Sequence, residues 1–254
     1  AVGFALWPRQ WPNAMVTAPG EVAMNAWLRI GPDGRVTVAV PQAEMGQGVM
    51  SGFAQIVADE LGARWELMAV EPAPLHPAYA LTWLATEGTK GLPPVVRDIA
   101  AFAGARVIER LDLQFTGGST SIRGYERTLR EAAATARVAL VRAAARQWQV
   151  DQAALDTADG AVFYKARQMP FAEAARLAAA DDVPAEVPLR PLSTRRLYGK
   201  PLPRIDIPAK VNGTARYGAD VRIPGMLFAA IRHGPAGSRL ANASAPAGVR
   251  FVRG

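Results

Sequence analysis

The chain reads as a mixed helix-and-strand protein of the α+β class (mixed α/β). Short β-branched runs flank a Gly31-Pro32-Asp33-Gly34 turn, which indicates a hairpin. Phe53, Ile56, Val57 and Leu61 recur at helical spacing, and an alanine-dense stretch from Tyr125 indicates a second, longer helix.

Taken in order, the hairpin runs from Asn25 to Val40, with Val36, Val38 and Val40 on its second arm. A glycine-rich loop follows, Glu44-Met45-Gly46-Gln47-Gly48, and Ser51 is the expected N-cap of the next helix. Gly62 is placed to stop that helix. Leu67 to Val70 is expected as a strand, residues 75–100 as irregular, and Val96 to Leu111 as helix. A second loop, Thr116-Gly117-Gly118-Ser119-Thr120-Ser121, opens onto the alanine-rich helix from Tyr125 to Gln147. Asp151 caps a short helical turn, Ala158-Asp159-Gly160 is a turn, Ala161 to Tyr164 a strand and Phe171 to Ala180 a helix. From Asp182, closely spaced prolines favour extended backbone. The stretch from Ile207 is expected to be β-rich at Ala215–Tyr217 and Met226–Ile231, and to end too soon to close its own core. The expected organisation is an N-terminal extension (1–24), a main domain (25–181), a proline-rich linker (182–206) and an incomplete second domain (207–254).

Composition narrows the chemistry. Of 254 residues, half are apolar and a fifth charged, with 29 Lys+Arg against 22 Asp+Glu for a formal +7. That is globular usage and not the signature of disorder. Cysteine is absent, which removes disulfides, thiolate catalysis, iron–sulfur ligation and Cys-based zinc sites from this chain. With only His76 and His233, both expected to be structural, a His-rich metal site is excluded too. No metal-ligating residues are therefore expected, and a redox metal must arrive on an organic cofactor or in a partner subunit. Arginines are scattered and lack interleaved aromatics, so no nucleic-acid partner is expected; solubility or an anionic ligand explains the charge. No run approaches the roughly 20 apolar residues of a membrane span. The apolar start, Ala1 to Trp7, fits either the tail of a removed export signal or a locally packed terminus.

Both glycine-rich loops lie where the chain enters a helix, and unpaired backbone N–H groups there favour anions. Neither matches the dinucleotide fingerprint or the P-loop. Gln47 places an amide, both donor and acceptor, between Gly46 and Gly48. Ser119, Thr120 and Ser121 add three hydroxyls after Gly117 and Gly118.

These two loops, with the stretch Gly199 to Ala230 containing Pro203-Arg204-Ile205-Asp206 and Lys210-Val211-Asn212-Gly213, resemble one family in family order. It is that of the molybdopterin-binding large subunits of the xanthine dehydrogenase/aldehyde oxidoreductases, of the isoquinoline 1-oxidoreductase β-subunit type. The resemblance implies part of a molybdenum-cofactor-binding domain followed by the start of an α/β-hammerhead domain. It implies molybdenum on molybdopterin cytosine dinucleotide and oxidation of an aldehyde or N-heterocycle with oxygen from water. Electrons would leave to a small subunit carrying [2Fe–2S] clusters and, in some members, onward to a cytochrome c subunit at a membrane. By position, Gln47 matches the glutamine that hydrogen-bonds a molybdenum oxo ligand. Gly46 and Gly48 match its loop, and Gly117, Gly118, Ser119, Thr120 and Ser121 match the loop that holds the pterin.

The family's catalytic glutamate, in a Gly-Glu-rich motif near the end of a much longer chain, has no counterpart here, and Glu44 does not occupy its position. The expectation is therefore an N-terminal piece or one half of a split subunit, completed by the rest of the large subunit. The resemblance implies a periplasmic or periplasm-facing location, with the cytoplasm as the alternative. The competing function is a non-catalytic scaffold of the same fold.

Overall fold

The structure is a computed structural model that describes residues 14–178, 187–231, 233–239 and 246–250. Its first sheet has strands β1 (Val22–Ala23), β2 (Leu28–Ile30), β3 (Val36–Val40) and β4 (Met68–Pro72), in that spatial order. β1–β2 and β2–β3 are antiparallel, with Leu28 opposite Val38 and Ile30 opposite Val36. The expected Pro-Asp-Gly hairpin is β2–β3, closed by Gly31 N–H on Arg35 O at 2.9 Å. β1 contradicts the boundary expected at residue 25. Val22 pairs with Ile30 and Met15 is buried in the core, so the described residues 14–24 are integral to the domain.

β3 and β4 are parallel, which requires a crossover. Helix α1 (Val49–Leu61) supplies it and buries Phe53, Ile56, Val57 and Leu61, the residues whose spacing predicted it. All five residues of β3 are buried, as expected of a strand covered on both faces. Helices α2 (Trp83–Gly88) and α3 (Pro94–Arg110) occupy half of the stretch expected to be irregular. Pro93 and Pro94 begin α3, since the first helical position needs no N–H.

Helix α4 (Thr120–Trp148) lies against α1 with Tyr125, Leu129, Ala132, Ala133, Ala136 and Leu140 buried. It begins five residues before the expected Tyr125. Gly124 disguised that start, although it belongs to the helix. A Cβ there would stand 2.5 Å from Leu81 Cδ1, so glycine is what lets Leu81 pack.

A second, antiparallel sheet contains β5 (Asp156–Ala158), β6 (Ala161–Tyr164) and β7 (Arg167–Pro170), followed by α5 (Phe171–Leu177). Of these strands only β6 was expected, and α5 matches the helix expected from Phe171. The sheet is joined to the end of α1: Thr157 Oγ1 donates to Leu61 O at 2.6 Å and Gly160 N–H to Gly62 O at 3.0 Å.

The described part of the proline-rich segment, residues 187–206, is irregular, with a 3₁₀ turn at Leu192–Thr194, and is no free linker. Asp59 Oδ1 accepts from Arg196 and Leu197 N–H at 2.7 and 2.8 Å. Gln55 Nε2 donates to Leu197 O, and Trp65 Nε1 to Pro203 O. Buried Glu60 accepts from Arg190 N–H at 2.7 Å and pairs with Arg130 and Arg137 at 3.1 and 3.2 Å. Two guanidinium partners and an N–H are what a carboxylate removed from water requires. A short helix α6 (Ile207–Val211) ends this unit, which divides from the next after Val211.

The described residues from Asn212 onward contain a 3₁₀ turn, Gly218–Asp220, and no strand. The β-rich runs expected at Ala215–Tyr217 and Met226–Ile231 do not form. Only Ala215 and Met226 are even half-buried there, and strands without partners or a covered face have nothing to stabilise them.

Gly62 has φ +79°, and a Cβ on it would lie 2.5 Å from Thr157 O. Gly62→Ala therefore should destabilise the protein by more than about 1 kcal/mol, from left-handed strain plus displacement of the second sheet. Urea denaturation checks it; an unchanged midpoint would contradict this account of the α1–β5 junction.

Candidate cofactor-binding site

The parallel pair ends at Val40 and Pro72 on one edge of the first sheet. Ligands in open α/β sheets gather beyond the carboxyl ends of such strands. Both glycine-rich loops lie there. Gln42, buried just past β3, joins them: its Nε2 donates to Phe115 O at 2.9 Å and its Oε1 accepts from Ser121 Oγ at 2.9 Å. Ala43 N–H adds a bond to Thr116 Oγ1 at 2.8 Å. Gln42 was not singled out from the sequence. The available signal was a polar residue ending an apolar strand.

Gly48, with φ +83°, is the N-cap of α1, not the expected Ser51, which lies inside the helix. The reason is Glu44. Its Oε1 accepts from Gly46 and Gly48 N–H, both at 2.9 Å, and its Oε2 from Met50 N–H at 3.1 Å. The chain thus supplies its own anion to this helix start. Burial alone would push the Glu44 carboxyl up, but the N–H groups of Gly48, Met50 and Gly46 outweigh it and hold the group below its usual range. A carboxylate so engaged is not a general base, in agreement with the sequence reading.

Gln47 is exposed, yet its amide is fixed by its own loop. Oε1 accepts from Met45 N–H at 2.6 Å and Nε2 donates to Ala43 O at 2.7 Å. An amide nitrogen carries two hydrogens, so one remains for an outside acceptor. Gly46, at φ +102°, is exposed and a Cβ there would meet nothing within 4 Å, which leaves room for a ligand beside Gln47.

In the second loop, hydroxyls offered by the sequence are partly spent internally. Thr120 Oγ1 donates to Gly117 O at 2.7 Å, and Ser121 Oγ to Gln42. Gly118 and Ser119 are exposed and left-handed (φ +59° and +56°), and Ser119 makes no side-chain cap to α4. The outward face is therefore Gly118, Ser119 and the first turn of α4.

Beside that turn, Trp27, Thr82, Glu109, Gly124, Tyr125 and Thr128 line a cavity of about 110 Å³. Burial pushes the Glu109 carboxyl up, against Arg106 at 2.8 Å. Ligand pockets for drug-sized molecules span roughly 300–1,000 Å³, so this space cannot enclose a pterin. His76 Nδ1 accepts from Ala78 N–H and caps a 3₁₀ turn; His233 is exposed. Among the described residues no acidic or histidine cluster could hold a metal ion, and no helix is long and apolar enough to cross a membrane.

Comparison with known proteins agrees with the motifs. Residues 2–74 match the molybdopterin cofactor-binding domain. The chain is 32% identical over 250 residues to the beta chain of isoquinoline 1-oxidoreductase from Brevundimonas diminuta, covering 84% of this chain and 29% of that protein. It is 31% identical over 218 residues to the membrane-bound aldehyde dehydrogenase [pyrroloquinoline-quinone] of Gluconacetobacter polyoxogenes, covering 83% and 24%. It is 27% identical over 221 residues to a nicotinate dehydrogenase subunit of Pseudomonas putida, covering 85% and 16%. Among solved structures, quinoline 2-oxidoreductase from Pseudomonas putida 86 aligns with a TM-score of 0.38 at 21% identity, over 58% of this chain and 15% of that one. Over residues 2–74 the chain is thus similar to molybdopterin cofactor-binding domains, and it spans less than a third of the length of each of these relatives.

Glu44→Gln puts an amide N–H₂ against backbone donors and removes the charge at the helix start. The expected cost is about 1–2 kcal/mol near pH 7. Because the folded value lies below the ordinary 4.5, the wild-type advantage is complete above that value and lost as pH falls through the folded one. Urea midpoints at about pH 7 and about pH 3 should therefore converge. A gap independent of pH would contradict the capping role.

Proposed function

We propose that this chain forms part of the large subunit of a molybdenum hydroxylase and contributes one wall of its cofactor site. The carrying observation is the pair of glycine loops joined through Gln42, with Gln47, Gly118 and Ser119 facing outward on one sheet edge. The residues present fit such a group: a spare amide N–H, open space at Gly46 and an uncapped helix start beside it suit a polar, anionic heterocycle. Bound there as molybdopterin cytosine dinucleotide, the cofactor would supply two-electron oxidation of an aldehyde or N-heterocycle with oxygen from water.

This chain's own residues would bind and orient. Gln47 donates its free N–H to an acceptor atom of the group, a preorganised donor that costs no rearrangement when charge develops. Ser119 and the first turn of α4 hold the pterin side. Glu44 stays ionised as a helix cap and takes no proton from substrate. The base, the substrate pocket and the [2Fe–2S] clusters belong to the rest of the large subunit and a small partner subunit. A cytochrome c subunit and a periplasm-facing location complete the proposal.

Elemental analysis of the native complex containing this chain should find near-stoichiometric molybdenum. Gln47→Ala should keep the metal and lower turnover by about 10²-fold, the usual cost of one such donor. A complex without molybdenum, or one carrying pyrroloquinoline quinone instead, would overturn the proposal. Unchanged turnover in Gln47→Ala would point to a scaffold role.

A further inference from the structure

The motif Pro203-Arg204-Ile205-Asp206 belongs to the stretch that carries the family resemblance, yet it lies outside both glycine loops. In the fold it returns to the Gly-Gln-Gly loop from the far end of the docked segment. Arg204 Nη1 donates to Gly46 O at 2.9 Å and Nη2 to Glu44 Oε1 at 3.2 Å. The same guanidinium is held from the other side by Asp206, Nε on Oδ1 at 2.9 Å and Nη2 on Oδ2 at 2.7 Å. Lys210 Nζ reaches Asp206 Oδ2 at 2.5 Å. Ile205 N–H donates to Ser51 Oγ at 3.0 Å, which pins the segment against the first turn of α1. The Glu44 and Asp206 side chains are only 5% and 7% exposed, and that of Arg204 31%.

Gly46 O belongs to the peptide plane whose N–H is that of Gln47. That plane is rigid, so a guanidinium anchored on the carbonyl sets the direction in which Gln47 leaves the loop. Gly46 has no side chain of its own to do so, and its Cβ position faces open space. The fork geometry matters: one planar group meets a carbonyl and two carboxylates together, which an ammonium point charge does not reproduce.

We propose that Arg204, oriented by Asp206, is a positioning residue for Gln47, clamping the Gly46–Gln47 peptide. The clamp rests on the reading of Gln47 as cofactor-facing, but it is measurable apart from that reading.

The experiment uses the full chain in its native complex and follows hydrogen exchange in residues 44–50 alongside molybdenum content and kinetics. Arg204→Ala should speed exchange of the Gly46, Gly48 and Met50 amides, which bond to Glu44, by roughly tenfold or more, while amides from Phe53 to Leu61 stay protected. Turnover per bound molybdenum should fall by roughly 10- to 100-fold with KM within about twofold, the mark of a misplaced group and not of lost protein. Arg204→Lys should behave like Arg204→Ala. If Arg204→Ala loses protection throughout α1 it has misfolded, and Asp206→Asn, which keeps the guanidinium but frees it, decides with a smaller rise confined to the loop. Loop exchange unchanged in a folded variant, or activity restored by Arg204→Lys, overturns the proposal. A complex without molybdenum overturns the reading of the site instead, and the exchange result still decides the clamp.

Discussion

Backbone N–H groups at the start of a helix must find acceptors, and at α1 this requirement shapes everything around it. Three N–H groups, two, four and six residues further along the chain, converge on the Glu44 carboxylate. Folding the loop back far enough to deliver that carboxylate forces Gly46 and Gly48 into left-handed backbone. It also turns Gln47 outward. The same carboxylate fills the place a phosphate would take, so α1 is not the anion site that its position suggests. The first turn of α4, by contrast, carries no acidic residue and no side-chain cap.

A second constraint is the burial of polar groups along the same sheet edge and on α1. Gln42 is 4% exposed and finds partners on the second loop, so satisfying it ties the loops together. Asp59 and Glu60, 9% and 3% exposed, are satisfied by the backbone and arginines of the docked segment and of α4. Several arginines that looked scattered in sequence thus converge in space. Arg130, Arg137 and Arg190 surround Glu60, and Arg204 sits between Glu44 and Asp206. These arginines are thus used in internal pairing, and the formal +7 is what the remaining basic residues leave over.

Legibility followed the range of the interaction. The β2–β3 hairpin, the apolar face of α1, its Gly62 stop and β6 depend on local turn chemistry and periodicity, and all were readable. The cap of α1 was misplaced because Ser51 carries the local signal while Glu44 acts from a distance along the loop. β5 and β7 are short and lack alternation strong enough to show. The prolines before Ile207 marked a segment without long helices or strands, but its docking depends on Asp59 and Glu60, far away in sequence. The two glycine loops stood out in the sequence through motif resemblance. Their joining through Gln42, and the internal use of Thr120 and Ser121, were not, since both are properties of the folded edge alone.

If buried polar groups make the two glycine loops act as one surface, the loops must be energetically coupled. A double-mutant cycle between Gln42→Ala and Ser121→Ala, read from urea denaturation, tests this most directly. The expected coupling between the two sites is about 1 kcal/mol. Strict additivity would mean that the loops are merely neighbours, each held by its own element.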